Sequence, residues 1–462
     1  MDGFTPCLAP PSLPTAEEGS DLTPSSVLLD MEAYITAAAV SNATTAVGYM
    51  RTGKPIHITF YLTRPLRLSY LCAHFPGPAA ANSLHPGAPA ARCIKDPPIV
   101  ISTHADLALL HITHPAARDL GNDKYHDYFV YTARPRGPSL HRLPYPHADA
   151  GFQDNEVAIF RCSGGGRYVI AALRNTCDTR KFRLQRYDSD TCRWTSTVLY
   201  VHAPVRDIVL PIPDTATELI YHNTDKVITL GGPRATIGWV DLWRGILLCD
   251  VLDQDKPRLR DVPLPKPSRA NRQEARALQN IAVVTTSPVN KVIKYIEMEI
   301  RPGEDLPPPR QSACDSDSDD DAPPHVRVAP YWSATIWTMS LPIGSWKDWH
   351  KDCKVDVTDI LVKNQRQLQQ LMLLPQLTTT DDPQNLTMRL RRLYAAHPTL
   401  GLADHGDLAN IMDNKGWVMA VGAMDKMLRG IAELDNRKNK HWMCCYMPTE
   451  IFKYLIKATV NL

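Results

Sequence analysis

From Val27 to about residue 300 the apolar positions recur with a period of two, in short runs broken by Gly, Pro and Asp. That period marks half-buried or buried strands, and the breakers mark their turns. Six hairpins are predicted. They pair His57–Thr63 with Leu66–Phe75, Asp127–Ala133 with Ser139–Leu143, Phe182–Tyr187 with Trp194–Val201, Gly245–Leu252 with Leu259–Leu264, Ser333–Leu341 with Trp346–Val355, and Gly416–Val421 with Met427–Leu434. Three further pairs lie between them: Pro98–Ser102 with Leu107–Ile112, Val157–Cys162 with Tyr168–Arg174, and Val227–Leu230 with Thr236–Leu242. Two hairpins per period make a four-stranded unit, and units spaced roughly 55–90 residues apart suit the blades of a propeller with insertions.

One run departs from simple alternation. Ile246-Leu247-Leu248-Cys249 is apolar at every position. A strand with one wet face alternates; a strand covered on both faces does not. The run sits in Gly238-Trp239-Val240-Asp241-Leu242-Trp243-Arg244-Gly245-Ile246-Leu247-Leu248-Cys249-Asp250-Val251-Leu252. Trp243 would bury roughly 200 Å² between blades, worth up to about 5 kcal/mol. Arg244, inside this apolar stretch, needs a counter-charge, and Asp241 or Asp250 is nearest in sequence. The strand that follows, Pro257-Arg258-Leu259-Arg260-Asp261-Val262-Pro263-Leu264-Pro265, has the same Pro-bounded form as Pro138-Ser139-Leu140-His141-Arg142-Leu143-Pro144-Tyr145-Pro146. The expectation is an all-β, propeller-like fold of five or six antiparallel blades.

The Gly238–Leu252 run resembles the central signature of a plant family, expanded in grasses, known as domain of unknown function 1618. Ser69-Tyr70-Leu71-Cys72-Ala73-His74-Phe75-Pro76-Gly77 resembles its N-terminal strand motif. His397-Pro398-Thr399-Leu400-Gly401-Leu402, Trp417-Val418-Met419-Ala420-Val421 and Phe452-Lys453-Tyr454-Leu455 resemble its C-terminal block, so the likeness spans roughly residues 27–460. His405-Gly406-Asp407 departs from the acidic run more usual there. The resemblance implies a plant protein with propeller-like β architecture, similar in style to the β domains that follow F-box motifs. It implies no activity, so it assigns no functional residues. The structural signature it marks is Gly238, Trp239, Asp241, Trp243, Arg244, Gly245, Cys249 and Asp250.

Other segments break the pattern. Residues 1–26, rich in Pro, Ser and Thr, read as a disordered tail. Residues 27–462 read as one domain with two interruptions. An acidic disordered loop covers 302–330 and contains Asp315-Ser316-Asp317-Ser318-Asp319-Asp320-Asp321. A helical insertion covers 359–393, where Leu361, Leu368, Leu371, Met372 and Leu374 fall at near-helical spacing, ended by Pro375. Ser316 and Ser318, each followed by Asp, are candidate phosphorylation sites for acidophilic kinases.

Composition narrows the function. Lys and Arg total 51 against 49 Asp and Glu, a net charge of +2, which argues against general binding of nucleic acid. The 39 prolines favour short elements and many turns. No secretory signal or apolar run of membrane-spanning length is evident, and the 11 cysteines form no CxxC pair, so reduced, mostly buried thiols and a cytoplasmic or nuclear location are expected. Cys444-Cys445 reads as two buried apolar residues. Ser163-Gly164-Gly165-Gly166-Arg167 lacks the Lys and Ser or Thr of a phosphate-binding loop and reads as a hairpin tip. His111-Ile112-Thr113-His114 has no matching ligand pair for a metal. Asp241 and Asp250 read as a buried charge pair with Arg244 rather than as glycosidase carboxylates. The basic residues Lys256, Arg258, Arg260, Lys266, Arg269, Arg272 and Arg276 read as a solvated loop.

No catalytic, cofactor-binding or metal-binding residue is assigned. The expectation is a non-catalytic interaction scaffold or adaptor for an unidentified protein, with no nucleic-acid or membrane partner. Two alternatives stand beside it: a hydrolase of a sugar or small ester working in the channel, and a substrate receptor for a ubiquitin ligase that reaches the ligase through another subunit.

Overall fold

The computed structural model describes residues 10–11, 26–36, 38–39, 41–63, 67–76, 96–113, 126–134, 137–145, 151–178, 180–202, 222–253, 257–265, 277–287, 290–301, 304–306, 326–328, 331–372, 390, 395–402, 408–413, 417–433 and 446–459. Strands dominate. Blade one contains β1 (Val27–Asp30), β2 (Tyr34–Thr36), β3 (Ala46–Tyr49), β4 (Pro55–Tyr61) and β5 (Tyr70–His74), with its sheet ordered β2-β5-β4-β3. Blade two is β6 (Ile99–His104), β7 (Leu107–Thr113), β8 (His126–Thr132) and β9 (Ser139–Arg142). Blade three is β10 (Val157–Arg161), β11 (Tyr168–Asn175), β12 (Lys181–Asp188) and β13 (Arg193–His202). Blade four is β14 (Lys226–Gly231), β15 (Thr236–Asp241), β16 (Gly245–Asp250) and β17 (Leu259–Pro263).

Blade five holds β18 (Gln279–Thr285), β19 (Lys291–Arg301), β22 (Tyr331–Ser340) and β23 (His350–Asp356), with a small hairpin of β20 (Glu304–Leu306) and β21 (Val326–Val328) inserted between β19 and β22. Blade six is β24 (Ala395–Leu400), β25 (Leu408–Asp413), β26 (Trp417–Gly422) and β27 (Leu428–Glu433). The chain returns through β28 (Tyr446–Thr449). Two helices are described, α1 (Gln365–Met372) and α2 (Phe452–Thr459). All nine predicted strand pairs are antiparallel neighbours, from β4–β5 to β26–β27.

Burial on both faces explains the uninterrupted apolar runs. Along β16, Leu247 and Cys249 join Trp239 between blades three and four, while Ile246 and Leu248 join Tyr295 between blades four and five. Along β7, Ala108 and Leu110 face blade one and Leu107 and Leu109 face blade three. Blades five and six share a core around Trp332 and Val421. Leu28 meets Val418 where blade six adjoins blade one. The ring is closed by β1, which pairs antiparallel with β28 and bonds to Ser69 of blade one. After β28, Ile451, just before α2, and Leu455 within it pack into the core of blades one and two. Blades three and four are tied further at their rims, where Val201 and His202 of β13 run parallel to Leu259 and Arg260 of β17.

Several expectations change. The ends of the 302–330 segment pair as β20 and β21, because Glu304-Asp305-Leu306 and Val326-Arg327-Val328 continue the long β19–β22 ladder after a break. Leu361 is not helical: it bridges Met427, and its backbone exchanges hydrogen bonds with Lys426 and Leu428. The helix of that insertion begins only at Gln365, and Leu371 anchors it in the core of blades five and six. Asp315 to Asp321, with Ser316 and Ser318, lies outside the described residues, as do Leu374, Pro375 and most of residues 1–26. Of the first 25 residues Pro10 and Pro11 are described, and the Pro11 carbonyl accepts a hydrogen bond from the Tyr70 hydroxyl. Among the described cysteines, none in a disulfide, Cys72, Cys162 and Cys249 are buried, but Cys177 and Cys192 are exposed in loops.

Gly238 shows how tightly the sheets stack. A Cβ there would stand 2.9 Å from Ile246 Cγ2, 3.0 Å from Leu248 Cδ2 and 3.1 Å from Ile228 Cγ1. Overpacking of this kind costs about 1–3 kcal/mol. Gly238→Ala is therefore expected to destabilise the fold by that amount, read from the urea unfolding midpoint at unchanged slope.

Candidate functional site at the convergence of the first hairpin turns

The innermost strands β6, β10, β14, β18 and β24 each begin a blade, and the first hairpin turn of blades two to five brings side chains together at one end of the ring. From blade two come His104 and Asp106, flanking Ala105, which takes a left-handed backbone at φ 53°. Such a conformation costs a non-glycine residue about 1–2 kcal/mol. From blade three comes Arg161. Its Nε donates to Asp106 Oδ1 at 2.6 Å, its Nη2 to Asp106 Oδ2 at 2.5 Å, and its Nη1 to the Gly166 carbonyl. That bidentate fork locks the two turns together. The Arg161 backbone N–H donates to His104 Nδ1 at 3.0 Å, so the neutral imidazole carries its proton on Nε2.

Blade four contributes Gly231 at φ 93°, and blade five contributes Lys291. A Cβ on Gly231 would meet Lys291 Nζ at 3.5 Å and Phe160 Cε2 at 3.9 Å, ordinary contacts, so the positive φ and not space calls for glycine here. His104 packs on Phe160 with ring centroids 4.4 Å apart. Burial first, and then the Lys291 and Arg161 charges, hold His104 down to about 4 against the opposing pull of Asp106. The Asp106 carboxylate is committed to Arg161, whereas the exposed Lys291 ammonium forms no ion pair with a described carboxylate. Tyr454 of α2 lies within electrostatic reach of Asp106 and Arg161, which brings the C-terminal helix to the same end of the ring. The result is an uncompensated cation beside a neutral N–H donor, suited to a carboxylate or phosphate.

The residues singled out by sequence lie elsewhere. Trp239 is fully buried between blades three and four and donates its indole N–H to the Glu156 carbonyl at 2.8 Å. Trp243 and Arg244 are buried in the turn between β15 and β16, and Gly245 opens β16 at φ 155°. Asp241 is fully buried and accepts the backbone N–H groups of Asn223 and Trp243 at 2.9 and 3.0 Å. The proposed pairing of Asp250 with Arg244 does not form. Asp250 accepts from Thr236 Oγ1 at 2.6 Å and faces Arg234 and Arg260 at 3.5 and 3.9 Å, because its strand end points to the first turn of the blade. Cys249 is buried, which pushes its thiol up to about 12. Arg258 directly precedes β17 and Arg260 lies in it, while Lys256, Lys266, Arg269, Arg272, Arg276, Cys444, Cys445 and His405 to Asp407 lie outside the described residues. Ser163 to Arg167 is a hairpin turn, with Arg167 on Asp188 at 2.6 Å.

The His111–His114 spacing leads to a different arrangement from a metal site. His111 Nδ1 meets Asp154 Oδ2 at 2.7 Å, and its Nε2 meets His126 Nδ1 at 2.8 Å, with the ring stacked on Tyr128. His114 lies outside the described residues, and no group of three or more His, Cys, Asp or Glu among those described is arranged to hold a metal.

Fold and site define an all-β ring of six four-stranded blades with a basic cluster at one end. Residues 239–405 match the sequence model of the family described as a protein of unknown function, DUF1618. The matched segment begins in β15 of blade four and ends after β24 of blade six, and the likeness to the family is shown for that part of the chain. No curated protein matches the chain. Among the described residues no helix is long and apolar enough to cross a membrane.

The His104 geometry sets a pH dependence. In the unfolded chain a histidine titrates near 6.5, and here it is held to about 4. A neutral His104 therefore stabilises the fold fully above pH 6.5, and this contribution is lost as the pH falls towards 4, by up to about 3 kcal/mol. The His104 ring resonances are expected to titrate near pH 4 by NMR, and Lys291→Ala to move that midpoint upward.

Proposed function

We propose that this protein is a non-catalytic interaction scaffold that captures an anionic group of a protein partner at the mouth formed by His104, Arg161 and Lys291. One observation carries the reading: residues as distant as His104 and Lys291 are held within electrostatic range by rigid strands, with no described carboxylate paired to the Lys291 charge. Loops on a rigid framework are the usual seat of recognition, and the framework alone assigns no chemistry. The partner is a protein with an exposed carboxylate or phosphate, met in the cytosol or nucleus. Receptor duty in a ubiquitin ligase is one form this scaffold role takes.

The hydrolase alternative has one observation in its favour, the Asp154–His111–His126 chain, in which a carboxylate orients one imidazole and that imidazole orients the next. It lies apart from the mouth, since His111 is roughly 14 Å along β7 from Leu107 at ~3.4 Å per residue. Two experiments separate the readings. An Asp- and Glu-rich peptide is expected to shift the His104 resonances of the wild type but not of Lys291→Glu, a substitution at an exposed position that leaves the thermal midpoint unchanged. Turnover of a small aryl ester that disappears in His126→Ala would instead favour the hydrolase.

A further inference from the structure

The outer strands of the ring are exposed sheet edges, and most are blunted. The four-residue β3 is backed by β9, with Gly48 against Leu140. The edge of β17 ends in Pro263, whose carbonyl accepts from Trp349. Charges punctuate β23 at Lys351, Asp352 and Lys354, and β27 at Arg429 and Glu433. Short length, proline and charge are the usual protections against strand addition.

β13 has none of these. It is ten residues long and carries no charge or proline from Trp194 to Val201. Among the described residues its far edge is paired only at Val201 and His202. Thr195 to Val198 are exposed, with Val198 at 50% and Tyr200 at 59%. Its surroundings are basic. Between Arg174 and His202 stand six Arg or Lys and three Asp. Two of those Asp, Asp188 and Asp190, face Arg167. Arg174 lies directly opposite Arg183, and Arg183 opposite Val198. Like charges opposite one another destabilise a sheet. Arg183 and Arg193 form no ion pair among the described residues, and Arg174 approaches Glu156 only to 3.9 Å. Lys181 lies over the Tyr200 ring at 5.5 Å.

We propose that β13 accepts an extended, acidic segment of a partner protein as a fifth strand of blade three. The added strand would satisfy the edge backbone groups of Trp194 to Tyr200, and its carboxylates would relieve the Arg174–Arg183 repulsion. Charge selects the occupant: a second copy of β13 would bring Arg183 and Arg193 against their own kind. The inference rests on the scaffold reading but uses a surface apart from the mouth.

The probes are a short peptide alternating Glu and Val and its Lys–Val counterpart. Calorimetry with the full chain is expected to show binding of the Glu peptide alone. Hydrogen exchange read by mass spectrometry is expected to slow across residues 193–202. Arg183→Glu combined with Arg193→Glu is expected to weaken binding about tenfold or more, that is by about 1.4 kcal/mol or more. Lys291→Glu, which removes the acidic-peptide site at the mouth, is expected to leave the slowed exchange across residues 193–202 unchanged, so failure here and failure of the mouth are distinguishable. Equal binding of both peptides, unaltered exchange at β13, or self-association of the free chain through this edge would overturn the proposal.

Discussion

The inner edges of six sheets face one another around the ring axis, and each presents backbone groups that its own sheet does not pair. Buried groups of this kind must find partners, and here the neighbouring blade supplies them. Ser102 Oγ accepts from the Ile159 N–H at 3.1 Å and His104 from that of Arg161, joining blades two and three. Asn155 donates to the Thr224 carbonyl from blade three to four. Lys226 donates to Asn280 at 2.8 Å from four to five, and Asn280 in turn donates to the Pro398 carbonyl at 2.8 Å from five to six. Ala33 and Val100 bond across to Pro98 and Met31, joining one and two. Where blade six meets blade one, β28 lies along β1. A girdle of polar contacts thus runs around the axis inside the apolar cores, which supply the bulk of the stabilisation without direction.

That girdle also positions the mouth. His104 accepts from Arg161 because the inner edge needs an acceptor there. The same contact fixes its tautomer and presses the ring onto Phe160, away from water. The cluster is thus a by-product of closure, to which Lys291 adds a cation. A flexible loop could not hold an ammonium beside a buried neutral imidazole, since it would swing out to solvent. Rigidity of the inner strands converts a solvent-exposed lysine into a directed charge.

The strands were legible in sequence because they carry their own signal. Doubly covered strands such as Ile246–Cys249 read as continuous apolar runs, and turns such as Gly164–Gly166 read as breaks. The mouth was not legible, since His104 and Asp106, Arg161, and Lys291 stand at three separate turns with no motif between them; aligning the first turn of each blade would have been the one route to them. The Asp250–Arg244 pairing failed because sequence nearness says nothing about which face a strand end presents. Leu361 misled for a related reason: its spacing fits a helix, but Met427 offers it a strand partner. The Asp154–His111–His126 chain joins residues from three elements and leaves no local trace.

Native-state hydrogen exchange at Ile159 and Arg161 tests the central claim most directly. Their N–H groups have acceptors only in the side chains of the preceding blade, Ser102 and His104. If the blades form a closed, girdled ring, both amides exchange only through global unfolding, as slowly as the middle-strand amides of Leu247 and Leu248. Exchange at the rate of an exposed edge would show that the inner strands face water, and the ring would not stand.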